Sequence, residues 1–368
     1  MKTKVFQFDP FNALAIVFIL VPFFAKSQND TLWKQKPEIS FSGFIDAFYC
    51  YDFNAPQTNY RQTFFYNYNR HNEFNLNFGF IKANVKHDRY RANLALQAGT
   101  YVSDNYASED PLLKHVYEGN AGFALNRKSN LWLDAGIFAS HIGFESAVSK
   151  DSWTLTRSLL AENSPYYLSG AKLTSNPNKH WELSALICNG WQKIKRVPGN
   201  SLPSFGTQVK YTSEKLIANW STFISTVDPD STRRMRYFNN FYIQSQFKGR
   251  INLILGFDIG FQQSKKNSVN YYNWFSPVLI ARYKATEKWF IGARAEYYQD
   301  EKSIIIVTTS PQGFKTTGFS LNIDYVPVQN LSCRIEGRWL NNEQPIFQTK
   351  SFITNQNSFV TGSIAVSF

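Results

Sequence analysis

The sequence predicts an all-β protein, a single closed antiparallel transmembrane β-barrel of about sixteen strands (range about 14 to 18) with short periplasmic turns and long extracellular loops. Three observations carry this expectation. Apolar residues alternate with small or polar ones over long runs, the period of a strand with two different faces. Long and short connections alternate between those runs without a break. Finally, the sequence ends on such a run: Val360, Gly362, Ile364, Val366 and Phe368 on one side, Thr361, Ser363, Ala365 and Ser367 on the other. An apolar last strand left as an edge would aggregate. Pairing it with the first strand removes the edge, and an apolar outer face with a small, polar inner face suits lipid outside and water inside.

Residues 1–27 have the form of a cleaved signal peptide. Lys2 and Lys4 precede an apolar run over 11–24, interrupted by Pro22, and Ala25 and Ser27 are small residues at cleavage spacing. The run is short for a spanning helix, and no Cys follows the cleavage site to take a lipid. Residues 28–37 are a polar periplasmic lead, and 38–368 form the barrel. In the first strand, residues 38–53, Phe41, Gly43, Ile45, Ala47, Tyr49 and Tyr51 face one way. Ser40, Ser42, Asp46 and Asp52 face the other, with Phe44 and Phe48. Asp46 is costly toward lipid, so its side is the lumen.

A long stretch over 54–70 leads to strands over 73–86 and 90–101, joined by a turn at His87-Asp88. Another long stretch over 102–118 precedes strands over 120–125 and from Leu131. Further short connections fall at 176–179, 213–215, 248–250, 285–288 and 327–330. Long ones fall at 141–165, 190–203, 227–234, 264–272, 300–313 and 341–355. That makes sixteen strands, eight long loops and seven turns, the pattern of an even-stranded outer-membrane barrel. Tyr49, Tyr51, Trp181, Trp220, Tyr237, Trp274, Trp289, Tyr297 and Trp339 sit near strand ends, as interfacial girdles require.

Composition agrees. Charged residues are 18% and aromatic ones 17%, with mean hydropathy −0.34, because lumenal polar residues dilute the average while girdles raise the ring count. The net charge is +12; three Lys and one Asp lie in residues 1–27, so the rest carries about +10 by the same count. No basic cluster or helix offers a nucleic-acid surface. A positive lumen would favour anions, and basic loops could instead meet anionic lipid. Cys50, Cys188 and Cys333 are odd in number and scattered, so neither a disulfide framework nor a metal site is expected.

Inward-facing residues expected to line a pore are Arg91, Gln97, Asp134, Arg294, Glu296, Arg334, Glu336 and Arg338. The third long loop is the most unusual connection. A short helix capped by Asp151 or Ser152 and running to about Ala161 is expected in it. Two placements are open: folded into the lumen as a constriction through Glu145, Lys150, Asp151, Arg157 and Glu162, or packed outside as a lid. In the first, Glu145, Asp151 and Glu162 would oppose Arg91, Arg294, Arg334 and Arg338, and Arg294→Glu with Arg334→Glu would shift selectivity toward cations. No enzyme is expected: His71, His87, His115, His141 and His180 are dispersed, the adjacent Ser140 and His141 would point to opposite faces, and HExxH, GxSxG and phosphate-loop motifs are absent. No cofactor is implied.

Residues 136–146 (Gly-Ile-Phe-Ala-Ser-His-Ile-Gly-Phe-Glu-Ser), Thr156-Arg157-Ser158, residues 162–167, Ser169-Gly170 and residues 189–192 carry a family likeness. So do residues 42–49, Gly99-Thr100-Tyr101 and Asn105-Tyr106-Ala107. The sequence resembles the OmpL-like β-barrel porin family of Bacteroidetes over nearly the whole mature chain. The resemblance implies a barrel in the outer membrane of a Gram-negative bacterium with a porin role, but no substrate and no functional residues. Phe368 is similar to the aromatic end that such barrels present to their assembly machinery; Cys50 and Cys188 depart from what an oxidising periplasm favours. The expected partners are therefore outer-membrane lipid and lipopolysaccharide, the barrel-assembly machinery and small hydrophilic solutes, with a homotrimer suggested by the porin fold alone. The other open reading is a plugged barrel acting as an adhesin, receptor or envelope scaffold.

Overall fold

The computed structural model describes residue 33, residues 35–245 and residues 249–368. The expected signal peptide lies outside the described residues, as do most of the lead and the start of the turn at 248. Fifteen strands follow in order: β1 (Glu38–Asp52), β2 (Phe74–Lys86), β3 (Tyr90–Ala98), β4 (Val116–Ala124), β5 (Leu131–Ala139), β6 (Tyr167–Asn178), β7 (Trp181–Cys188), β8 (Ser204–Thr212), β9 (Leu216–Ser225), β10 (Arg236–Ser245), β11 (Ile251–Gln263), β12 (Tyr271–Lys284), β13 (Trp289–Asp300), β14 (Phe314–Val328) and β15 (Leu331–Asn342). A small hairpin, β16 (Phe347–Gln348) and β17 (Ile353–Thr354), interrupts the last loop before β18 (Gln356–Ser367). All but β16 and β17 form one closed barrel in which each strand pairs with its chain neighbours and β1 pairs with β18. This is the expected sixteen-stranded closed antiparallel architecture.

The seam is continuous. Antiparallel partners run from Phe44↔Ser367 to Asp52↔Phe359. Beyond Ser367 the pairing goes on: the Gly43 N–H donates to the Phe368 carbonyl (2.8 Å), and the Phe368 N–H to the Gly43 carbonyl (3.0 Å). The Phe368 ring lies over Gly43, where any Cβ would collide with it. The two faces follow the pleat. In β18, Thr361 is 0% exposed and Ile364 58%; in β1, Asp46 and Asp52 are buried inward while Phe41 and Ile45 face out.

The long connections lie at one end of the barrel: loop 1 (53–73), loop 2 (99–115), loop 3 (140–166), loop 4 (189–203), loop 5 (226–235), loop 6 (264–270), loop 7 (301–313) and loop 8 (343–355). Short turns occupy the other end. Trp33 from the lead stacks on Tyr90 beside the β2–β3 turn (6.4 Å, 16°).

Several expectations shift. β3 stops at Ala98 rather than 101, because Gly99 takes φ 126° and opens helix α1 (Thr100–Asn105). β4 begins at Val116, earlier than expected, through a register shift opposite Ala95 and Leu96. Trp274 is no girdle residue: it faces the lumen at 1% exposure, its ring over Gly260. Trp181, Trp220, Tyr237 and Trp289 are exposed on the outer face, as girdles require.

Gly43→Val should force the Phe368 ring off the seam and lower barrel stability by about 1 kcal/mol, the low end of overpacking penalties because the displaced ring is exposed. Gly337→Val is the control, since Gly337 faces outward and a Cβ added there would meet nothing within 4 Å. Urea midpoints of the refolded barrels should fall for the first substitution and hold for the second.

Candidate functional site in the loop-filled lumen

Period-two alternation on three adjacent strands carries a set of charges inward. Arg294 and Glu296 come from β13, Asp324 from β14, and Arg334, Glu336 and Arg338 from β15. The register sets Asp324 opposite Arg334. Arg294 pairs with Glu336 (2.9 Å) and Glu296 (3.2 Å), Arg338 with Glu296 (2.6 Å), and Arg334 with Asp324 (2.8 Å). Their side chains are at most 2% exposed. Three cations and three anions make a neutral cluster, but burying it is costly unless the remaining donors and acceptors are met.

Loop 3 meets them. The Thr156 N–H donates to Glu336 (2.7 Å) and its hydroxyl to the same carboxylate (2.6 Å). The Leu159 N–H donates to Glu296 (2.7 Å). Arg294 donates to the Thr156 carbonyl (2.6 Å), Arg334 to the Ser149 and Ser152 carbonyls (2.6 and 3.2 Å), and Arg338 to the Arg157 carbonyl (3.0 Å). A loop has few backbone partners of its own, so the wall charges and the loop backbone satisfy each other. Loop 3 therefore lies inside the barrel, clamped to one side.

The expected helix in this loop is shorter and later. Helix α2 (Leu159–Glu162) is capped by the Ser158 hydroxyl, which accepts from the Ala161 N–H (3.2 Å). Asp151 and Ser152 do not cap it, because the chain around them forms a separate 3₁₀ turn over Ser149–Asp151. Ser158 in turn donates its N–H (3.2 Å) and its hydroxyl to Glu145. Burial pushes the Glu145 carboxyl above its ordinary value, against the opposing pull of Arg294 and the Ser158 hydrogen bonds.

Arg157 pairs with Glu162 (3.1 Å), and its guanidinium lies over the Tyr166 ring (3.6 Å). Glu162 also accepts the Tyr66 N–H (2.9 Å), so loop 1 is tied to loop 3. Tyr68 of loop 1 reaches the wall, donating its hydroxyl to Asp46 (2.6 Å). Lys150 and Asp151 stay exposed, and the Lys150 ammonium donates to the Ser367 hydroxyl (2.8 Å).

The other predicted lining residues stand apart. Arg91 pairs with Asp134 (2.5 Å) across β3 and β5 and is 37% exposed at its side chain. Gln97 is buried and donates to the Lys114 carbonyl of loop 2 (2.8 Å). Phe368 sits at the seam. Sequence reasoning missed Asp324 and Asn322, which carry the same Asn-x-Asp alternation on β14, and the loop groups Thr154, Thr156 and Ser158. It also missed Lys82, Glu118, Lys172, Glu182 and Lys210, which face the lumen nearer the short turns and remain partly exposed. Strict alternation on β2, β4, β6, β7 and β8 was the available signal.

The long-loop end of the lumen is packed by an apolar cluster. Phe64 and Phe65 of loop 1, Leu155 and Leu159 of loop 3, Ile306 of loop 7 and Phe347 of loop 8 meet wall residues such as Phe223, Phe238 and Trp274.

The chain belongs to the family described as putative beta-barrel porin-2, OmpL-like, whose model matches residues 38–368. It is an outer-membrane β-barrel of the porin class. Comparison with curated proteins finds no match. Among solved structures it is similar to the anion-selective porin of Comamonas acidovorans (10% identity, TM-score 0.60, 90% of this chain and 100% of that one). It is similar to the outer-membrane channel DcaP of Acinetobacter baumannii (11%, 0.59, 90% and 98%). OmpT of Vibrio cholerae is a further likeness (11%, 0.57, 90% and 98%) and is also solved in a trimer form. At such identities the likeness shows the fold alone.

Glu336→Gln should weaken the clamp by about 3–5 kcal/mol, the cost of breaking a buried ion pair by one partner. Amide hydrogen exchange should accelerate across residues 149–159 while strand amides keep their protection. Unchanged exchange at Thr156 would show that this carboxylate does not hold the loop.

Proposed function

We propose that the protein is a passive, non-enzymatic channel that lets small hydrophilic solutes cross the outer membrane, with a preference for anions. The family and the polar inner wall support the channel. The anion preference rests on one observation. The clamp under loop 3 is neutral and buried, so the field in the accessible lumen is left to the residues nearer the short turns. There Lys82, Arg91, Lys172 and Lys210 face Glu118, Asp134 and Glu182. Lys82 pairs with Glu118 (2.7 Å) and Arg91 with Asp134. Lys172 and Lys210 have no carboxylate within ion-pairing distance among the described residues, so the lumen keeps a positive excess there. A homotrimer belongs to the same proposal by analogy with the trimer form of Vibrio cholerae OmpT.

The apolar cluster across the long-loop end favours a second reading, a plugged barrel that presents its loops as a binding surface. Single-channel recording in a planar bilayer with a salt gradient separates the two. The channel reading expects stepwise conductance and a zero-current potential of the sign given by anions. Inserted but electrically silent barrels would favour the plug. Lys172→Glu with Lys210→Glu should lower the anion-to-cation permeability ratio several-fold. Arg334→Glu, which acts on a capped residue, should disturb the loop and raise current noise instead.

A further inference from the structure

Beneath the first turn of loop 3 the lumen keeps a cavity of ≈ 330 Å³. Tyr101, Tyr117, Phe144, Tyr166 and Tyr242 contribute rings to its lining, and Lys210, Gln244 and Ser140 contribute polar groups. We propose that this cavity is a solute-binding subsite for small cyclic carboxylates, organic anions with one flat apolar face and one negative group. The proposal takes its transport meaning from the channel reading above, but the binding stands on its own geometry.

The rings are fixed by packing rather than free to collapse into the space. Phe144 meets Tyr242 edge-on at 5.4 Å, and Tyr101 meets Tyr166 at 6.3 Å, nearly perpendicular. Tyr117 is held from behind by Phe78 (5.2 Å) and Phe80 (5.2 Å). The Arg157 guanidinium covers Tyr166 and lies 4.9 Å from the Tyr101 ring centre, so two of the rings are backed by a buried cation. The cleft is preformed and mixed, setting ring faces beside Lys210, Gln244 and Ser140, so it suits a ligand with both an apolar face and a polar group, and its size is that of a ring-sized ligand.

Charge selects the ligand. Lys210 is the one cation among the lining residues. Its cross-strand neighbour Glu182 is not within ion-pairing distance, and among the described residues the Lys210 ammonium has no hydrogen-bond partner. The one lining carboxylate, Glu145, is taken up by the Ser158 N–H and hydroxyl. The Tyr166 hydroxyl is buried with no partner, an unmet polar group at the cavity wall. An entering carboxylate would give Lys210 its partner, and an adjoining ring would cover the aromatic wall.

Titration calorimetry on the detergent-purified full chain tests this with benzoate, benzyl alcohol and acetate as probes. Benzoate should bind saturably; benzyl alcohol, lacking the charge, and acetate, lacking the ring, should bind about tenfold or more weakly. Lys210→Gln should weaken benzoate by about tenfold or more, and Lys210→Glu should exchange benzoate for benzylamine. Phe144→Ala, which removes a ring and no charge, should weaken benzoate while leaving acetate unchanged. Lys179→Gln, in a turn away from the cavity, is the control, and the heat-dependent gel shift of each variant reports the folded barrel. Benzoate that fails to saturate, binds Lys210→Gln as tightly as the native protein, or binds no better than acetate would overturn the subsite. Saturable benzoate binding in an electrically silent barrel would support the subsite while removing the channel reading; conductance without benzoate binding would do the reverse.

Discussion

In hydrocarbon a strand has no water to satisfy a spare amide or carbonyl, and each unpaired group costs several kcal/mol. Closure of β1 on β18 is therefore the constraint from which the rest follows. The seam is paired along its length, down to the last residue, and Gly43 leaves room for the terminal ring on the lipid side. Once sixteen strands close, the circle is wider than inward side chains alone can fill. Water or returning chain must occupy the remainder, and the inner wall has to provide for both.

The wall divides that task. On β13, β14 and β15 the inward charges are arginines with carboxylates, and arginine suits the role because its planar fork donates in several directions at once. Arg294 reaches two carboxylates and the loop backbone together. Lysine could not do this with a single ammonium. Loop 3 consequently sits on a neutral surface whose carboxylates and terminal guanidinium nitrogens are engaged, and Glu162 passes the same fixation on to loop 1. Loop 7 is gathered in by one residue of the wall, Asp300, which accepts the N–H groups of Ile304, Ile305 and Ile306 (2.8, 2.7 and 3.0 Å). Across the barrel, on β6 and β8, the wall uses lysines that remain partly exposed, Lys172 and Lys210, where mobile solvated charge rather than fixation is useful.

The barrel was legible because its signals are local. Period-two alternation, a terminal aromatic strand and the rhythm of long and short connections all read from neighbouring residues, so strand number and facing came out of β1 and β18 directly. Trp274 misled because a ring near a strand end has the same local signature on either face; only Gly260 across the ladder reveals that it turns inward. β3 ended early at a glycine whose left-handed conformation a pattern cannot show. Loop 3 was recognisable as unusual, and Arg294, Glu296, Arg334, Glu336 and Arg338 were recognisable as inward. That these charges grip the loop backbone instead of facing water depends on pairings between residues 137 to 185 positions apart, which no window of sequence contains.

The central claim is that loop 3 occupies the lumen, held against the β13–β15 wall. Replacing residues 146–158 by a short Gly-Ser link and comparing unitary conductance with the native barrel in the same bilayer tests it most directly. A loop inside the lumen predicts larger and noisier current steps in the shortened protein. Equal unitary conductance in two correctly folded barrels would contradict the account and place the loop outside the conducting path.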